Sequence, residues 1–182
     1  VDSSPQEAGH HPAVGVSDVT IRMMTTQDCE LQRPFFNGLS AASRYARFMG
    51  PMAEISTRLL RVLSDIHPLR HVVYVAVVTI DAKETMVGEV RYVVDAPDNQ
   101  TAEFAVSIAD EWQGMGLATQ LLRVIETVAA NDGIMRLFGI TLNDNVAMKK
   151  LGQSAGYRLS ADPCEARAVR IVKSIVRPDT LH

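Results

Sequence analysis

The chain of 182 residues has little cysteine, little excess charge of either sign and no long apolar run, and each shortage excludes a class of protein. Its two cysteines, Cys29 and Cys164, lie far apart with no CxxC or Cys/His spacing around them, so neither a disulfide framework nor a zinc site is expected. A reducing cytoplasm is the compartment that fits. Eighteen Lys plus Arg stand against 21 Asp plus Glu, a formal net charge of −3. Without a basic excess there is no general electrostatic attraction to nucleic acid or to an anionic membrane, and any anion site has to be local. No apolar run approaches the ~20 residues that span a bilayer. Residues 1–18 are rich in Pro, Gly and Ser and lack the basic-then-apolar order of a signal peptide. There is no internal repeat.

What remains is the composition of an ordinary globular domain, 47% hydrophobic and 21% charged. The length suits one domain of ~100–200 residues. We expect a flexible N-terminal tail over residues 1–18, a folded domain over 19–176 and a short C-terminal tail over 177–182. Val19-Thr20-Ile21-Arg22 alternates like a short strand, and Thr25 to Asp28 offers helix-starting residues ahead of Leu31 and Phe35. Ser40 to Phe48 has helical spacing, Gly50-Pro51 stops it, and Glu54 to Ile66 resumes with Ile55, Leu59, Val62 and Ile66 on one stripe.

Three β-rich runs follow, Val72 to Ile80, Thr85 to Val94 and Ala102 to Ile108, separated by the turn-like Asp81 to Glu84 and Asp95 to Asn99. Connections this short require an antiparallel meander. Leu117 to Ala130 changes to helical period and closes at Asn131-Asp132-Gly133. Arg136 to Leu142 reads as a buried strand, Asn145 to Ala155 as a helix, and Tyr157 to Leu159 and Ala166 to Ile175 as two more strands. The order predicts a mixed α/β (α+β) domain in which the strand before the long helix runs parallel to the strand after it.

The stretch Ala105-Val106-Ser107-Ile108-Ala109-Asp110-Glu111-Trp112-Gln113-Gly114-Met115-Gly116-Leu117-Ala118-Thr119 passes from an apolar strand through a glycine-bearing loop into that helix. Glycines let backbone N–H groups approach a ligand closely, and the first helical turn adds unpaired donors at the positive end of the dipole, a site for phosphate oxygens. A dinucleotide-binding Gly-x-Gly-x-x-Gly loop departs from this pattern, because Thr119 holds the third glycine position and the upstream strands form a meander. No Gly-Lys-Ser/Thr follows, so a P-loop is excluded.

Gln113-Gly114-Met115-Gly116-Leu117-Ala118 resembles the Q/R-x-x-G-x-G/A signature of the GCN5-related N-acetyltransferase (GNAT) superfamily, whose order β-α-α-β-β-β-α-β-α-β-β matches nearly the whole chain from Val19 to Ile175. The resemblance implies acetyl-CoA as cosubstrate, with no metal. It places Val106, Ser107 and Ile108 on the strand whose backbone pairs with pantetheine amides, and Gln113, Gly114, Met115, Gly116, Leu117, Ala118 and Thr119 at the pyrophosphate. Asn145, in a segment through Tyr157 that resembles N-x-x-A/M-x-x-L-Y-x-x-x-G-F, is implied to touch the pantetheine arm; as a favoured N-cap it is equally suited to starting its helix. Many members have a Tyr general acid where this chain has Gly152. A thiol of pKa near 8.5 leaves as thiolate at pH 7 at a cost of only ~2 kcal/mol, whereas deprotonating a lysine amine costs about 4–5 kcal/mol, so the base is the harder requirement.

Glu103 is the candidate base, at the position where superfamily members often have a glutamate; alternation puts it on one face with Ala105 and Ser107. A solvent-facing carboxylate or cross-strand ion pair is the competing role, and Glu89 is the runner-up. Leu39 to Met49 resembles the S-x-x-S/Y-R/Y-x-R-F stretch of bacterial Pat-type protein lysine acetyltransferases, as do Trp112-Gln113-Gly114 and Met148. That implies a protein lysine acceptor, such as one on an acyl-CoA synthetase. A small-molecule amine acceptor and a non-catalytic acyl-CoA-binding regulatory domain are the alternatives, and a homodimer is left open. In the same stretch, Arg44 and Arg47 suit either substrate contact or a solvated helix face. His67 and His71 are spaced i, i+4, but Pro68 breaks the helix a metal pair would need, and His10-His11 is a tail dipeptide. Lys149-Lys150 reads first as a solvated helix face.

Overall fold

Runs rich in Val, Ile and Thr, whose branched side chains suit a pleated surface, build one seven-stranded mixed sheet. The computed structural model describes residues 18–95 and 99–176. Its elements are β1 (Thr20–Met23), α1 (Cys29–Gly38), α2 (Ala41–Phe48), α3 (Thr57–Ser64), β2 (His71–Ile80), β3 (Lys83–Asp95), β4 (Thr101–Ile108), α4 (Leu117–Asn131), β5 (Arg136–Leu142), α5 (Val146–Ser154), β6 (Arg158–Ala161) and β7 (Ala168–Ser174). The strands lie in the order β1-β2-β3-β4-β5-β7-β6. All neighbours are antiparallel except β4 and β5, which α4 connects as a parallel pair. The mixed α/β fold expected from the sequence is found. The two predicted tails lie outside the described residues, apart from Asp18, as do His10-His11 and residues 96–98 of the predicted turn.

Three local expectations change. The helical layer between β1 and β2 holds three α-helices where the expected order has two, because Gly50-Pro51 separates α2 from α3. The last of these is shorter than the predicted Glu54 to Ile66: Ser56 caps α3 by accepting from the Leu59 N–H at 3.1 Å, so the helix cannot begin earlier. The predicted turn Asp81 to Glu84 shrinks to Asp81 and Ala82, with φ of 48° and 60°, since Lys83 and Glu84 already pair with Ile80 and Thr79. Two left-handed residues match the twist of the flanking strands, and an alanine there carries no turn signature to read.

Alternation along β2 divides the interior. Val72, Ala76 and Val78 face α4, packing with Leu117, Leu121, Leu122 and Ile125. Val73, Val75 and Val77 face the other way, against Phe35, Phe36, Ile55 and Leu63 of the N-terminal helical layer. The sheet thus separates two cores, one per face.

Candidate functional site

The parallel pair β4 and β5 is joined only where Thr101 to Glu103 meet Arg136 to Phe138, and beyond that point the strands diverge. Gly139 stands at the fork. A Cβ on it would lie 3.0 Å from a Phe104 ring carbon and 3.2 Å from the Phe104 carbonyl oxygen, so the aromatic ring occupies the place of a side chain. That ring also leans on Tyr157, centroids 5.2 Å apart. The divergence opens a groove of about 540 Å³. Glu103 to Ile108 form one wall, Gly139 to Thr141 with Asn145, Met148 and Leu151 the other, and the start of α4 and the α2 residues Ser43 and Arg47 close it in.

The α4 end is built to meet an anion. Gly114 and Gly116 adopt φ of 75° and 84°, a turn that other residues resist, and a Cβ at either would point into open space. Gly116 is the N-cap and offers no side chain to the helix; the first helical hydrogen bond is from the Gln120 N–H to the Gly116 carbonyl at 3.2 Å. The N–H groups of Leu117, Ala118 and Thr119 are therefore turned out of the helix with the positive end of its dipole. Gln113, Gly114, Gly116, Leu117, Ala118 and Thr119 all line the groove; Met115, 52% exposed, does not. The Gln113 side chain donates to the Ile108 carbonyl at 3.1 Å and to the Ser43 hydroxyl at 3.2 Å, tying the loop to the end of β4 and to α2.

Asp110 strengthens that tie, and its role was not foreseen. Its carboxylate accepts from the Ser40 N–H at 2.8 Å and from the Ser40 and Ser43 hydroxyls, each at 2.7 Å. Partial burial raises its pKa, but these donors outweigh burial and hold the carboxyl below its ordinary value. Ser40 is also the N-cap of α2, accepting from the Ser43 N–H, so the loop before α4 fixes where α2 starts. Only the helical spacing from Ser40 to Phe48 was visible in sequence; the partner of Ser40 is 70 residues away.

Along β4, Val106, Ser107 and Ile108 line the groove as expected, and Glu103 lines it with its side chain exposed. The Ser107 hydroxyl is buried without a hydrogen-bond partner among the described residues, and so is that of Thr141 on the facing wall. Glu89 is elsewhere. It is 1% exposed, 2.6 Å from the Arg91 guanidinium, and accepts from the Gln32 amide at 2.9 Å. Burial alone pushes the Glu89 carboxyl up, but Arg91, Arg47 and Gln32 together leave it below its usual value, and it does not reach the groove. That removes it as an alternative base.

Arg44 and Arg47 do not share a solvated face. Arg44 donates to the Met52, Asn37 and Leu39 carbonyls, stapling the ends of α1 and the loop after α2. Arg47 lines the groove. Of the two roles expected for Asn145, capping is seen: its side chain accepts from the Met148 N–H at 3.0 Å as the N-cap of α5, and the residue also lines the groove. Gly152 lies off the groove, where a Cβ would start toward Ile171 at 3.4 Å. Lys149 donates to the Asn143 carbonyl at 2.6 Å. His71 is not a ligand: its Nε2 meets the Arg91 guanidinium at 3.0 Å and its Nδ1 the Asp65 carbonyl at 2.6 Å.

Residues 18–158 match a family model described as an acetyltransferase (GNAT) domain. The chain is 36% identical over 151 residues to acetyltransferase PA5475 of Pseudomonas aeruginosa, an alignment covering 83% of this chain and 81% of that protein. It is 27% identical over 117 residues to acetyltransferase Pat of Mycolicibacterium smegmatis, covering 64% of this chain and 34% of that longer protein. Among solved structures, the GNAT domain of S. lividans PAT superposes with a TM-score of 0.75 at 28% identity, covering 85% of this chain and 89% of that one.

Proposed function

Because the chain belongs to the GNAT acetyltransferase family, we propose that it carries an acetyl group from acetyl-CoA to a primary amine, with a protein lysine as the acceptor class. The observation that carries this reading is the groove between diverging parallel strands that ends at an uncapped helix N-terminus. Such a groove accepts a long amide-bearing arm beside strand backbone and a pyrophosphate at the helix end. Two groove-lining residues, Ser107 and Thr141, keep buried hydroxyls without partners among the described residues.

In this reading Val106 to Ile108 offer backbone groups to the pantetheine amides, Asn145 adds its side chain, and Gly114 to Thr119 donate to the pyrophosphate, with Gln113 holding the loop in place. Glu103 accepts the proton of the attacking amine, directly or through water. The amine nitrogen bonds to the thioester carbon, a backbone N–H near Ile108 polarises the carbonyl, and the carbon–sulfur bond breaks. No side chain stands at Gly152 to protonate sulfur, and the modest cost of a thiolate leaving group makes water a sufficient source. The resemblance of Leu39 to Met49 to the Pat-type stretch, beside the likeness to acetyltransferase Pat and S. lividans PAT, is what favours a protein lysine as acceptor.

Glu103→Gln tests the mechanism: turnover at neutral pH should fall by ~10²-fold or more while acetyl-CoA affinity by calorimetry stays put. Unchanged turnover across pH removes Glu103 from the chemistry. Isotopically labelled acetyl-CoA added to a cell lysate, read by mass spectrometry, separates labelled protein lysines from labelled small amines. The empty position at Gly152 favours one second reading, a regulatory domain that binds acyl-CoA without turnover, and binding with no labelled product would establish it.

A further inference from the structure

Arg47 sits in the last turn of α2, one turn beyond Ser43, and lines the groove together with Glu103. Other covered guanidiniums are accounted for. Arg22 holds Asp28 and Glu84, Arg44 holds three carbonyls, and Arg91 holds Glu89 and the Leu63 carbonyl. Arg47 makes no direct hydrogen bond or ion pair among the described residues: its Nε is buried with no hydrogen bond, its close contact is the Phe48 ring, 5.1 Å from Cζ, and the carboxylates of Glu89 and Glu103 act on it only through space. Burial and then Arg91 push its pKa down to about 10 against the opposing pull of Glu89 and Glu103, which still leaves it charged at neutral pH.

A cation brought into a groove without a partner is costly unless something that enters the groove completes it. In the reading above the pyrophosphate has its donors on α4. Arg47 instead stands on the α2 side with Glu103, where an acceptor amine has to arrive. A guanidinium there attracts an oxyanion and repels surplus positive charge. Resting on the acyl-transfer reading above, we propose that Arg47 is a specificity-determining residue that binds a carboxylate carried by the amine acceptor. The preferred acceptors are then amines with a nearby carboxylate, and polycationic amines are disfavoured. That carboxylate has two sources, an acidic residue flanking a lysine in a peptide or the α-carboxylate of an amino acid.

The test reads binding separately from turnover. CoA-loaded protein is titrated by calorimetry with two matched pairs, Nα-acetyl-lysine against its C-terminal amide, and a lysine peptide with Glu against the same peptide with Gln beside the lysine; spermidine is the polycationic probe. The wild type should bind the carboxylate member of at least one pair about tenfold more tightly, the scale of a charge-assisted contact, and that pair identifies the source. Arg47→Gln should abolish the preference, Arg47→Lys should retain part of it, and CoA affinity should be the same in all three. Thermal melting checks that Arg47→Gln folds; if it does not, the comparison with Arg47→Lys decides. Equal binding within both pairs, a preference that survives Arg47→Gln, or tighter binding of spermidine overturns the proposal. So does an Arg47-dependent preference for succinyl-CoA over acetyl-CoA, which would place the carboxylate on the acyl donor. Loss of turnover with the carboxylate preference intact would overturn the acyl-transfer reading and leave the role of Arg47 standing.

Discussion

Glu89 and Arg91 form an ion pair 2.6 Å apart with side chains 1% and 4% exposed, in the middle of the sheet. Gln32 donates to the carboxylate, while the Leu63 carbonyl and His71 take up the guanidinium. A pair this dry is stable only while both members are present, because either one alone is an uncompensated buried charge. Arg91→Met should therefore cost about 3–5 kcal/mol in urea unfolding, and Glu89→Met/Arg91→Met together should cost less than that single change. In the sequence, Val87-Gly88-Glu89-Val90-Arg91 reads as a strand with an outward polar face. The polar face is covered because α1 and α3 pack over it, a long-range fact that local alternation does not carry. The same limit hid Asp110 and left Arg47 open between substrate contact and a solvated face. Their residue types were visible, but their roles depend on partners brought from distant elements. The place of Glu103 on its strand and the turn at Gly114 and Gly116 were legible because they depend on local strand and turn geometry.

At the level of elements, the groove exists because one strand pair stops pairing. Phe104 from β4 fills the space left by Gly139 on β5, and the strands separate from there. Gly139→Ala should force that ring aside and destabilise the protein by about 1–3 kcal/mol, measured by chemical denaturation, with weakened acetyl-CoA binding in the same variant. The helices and strands themselves were largely readable: Arg136 to Leu142 is the strand expected, and α4 starts at Leu117 as expected. Their ends were less so. Capping by Ser56 and the left-handed Asp81-Ala82 loop set boundaries by single hydrogen bonds and backbone angles that hydrophobic period does not encode.

For the molecule as a whole, the charged groups at its joints set a pH profile. Asp28, bonded to Arg22 at 2.7 Å, titrates at about 2, and Glu89 and Asp110 are also held low. A carboxyl held low in the fold adds stability above its unfolded pKa near 4 and loses it as pH falls toward the folded value. His71 is also lowered, by burial and then by Arg91, because Arg91 donates to Nε2 only while that nitrogen is neutral. Its contribution is complete above about pH 6.5 and is lost on acidification below it. Thermal melts from pH 8 to pH 2 should show a plateau, a first decline below about 6.5 and a second below about 4. His71→Gln should remove the first decline; a first decline that persists in that variant would refute the assignment.

Division of the interior by the sheet has a consequence for how such a protein can change. On the proposed reading, the residues that would hold the cofactor draw on the core around α4, whereas α2, which carries Arg47, packs through Phe48 on the core around α1 and α3. Each layer can be repacked against its own face of β2 without disturbing the side chains on the other. On that reading the acceptor half can drift toward new amines only while the Asp110 and Gln113 bonds to Ser40 and Ser43, which join it to the loop before α4, are kept.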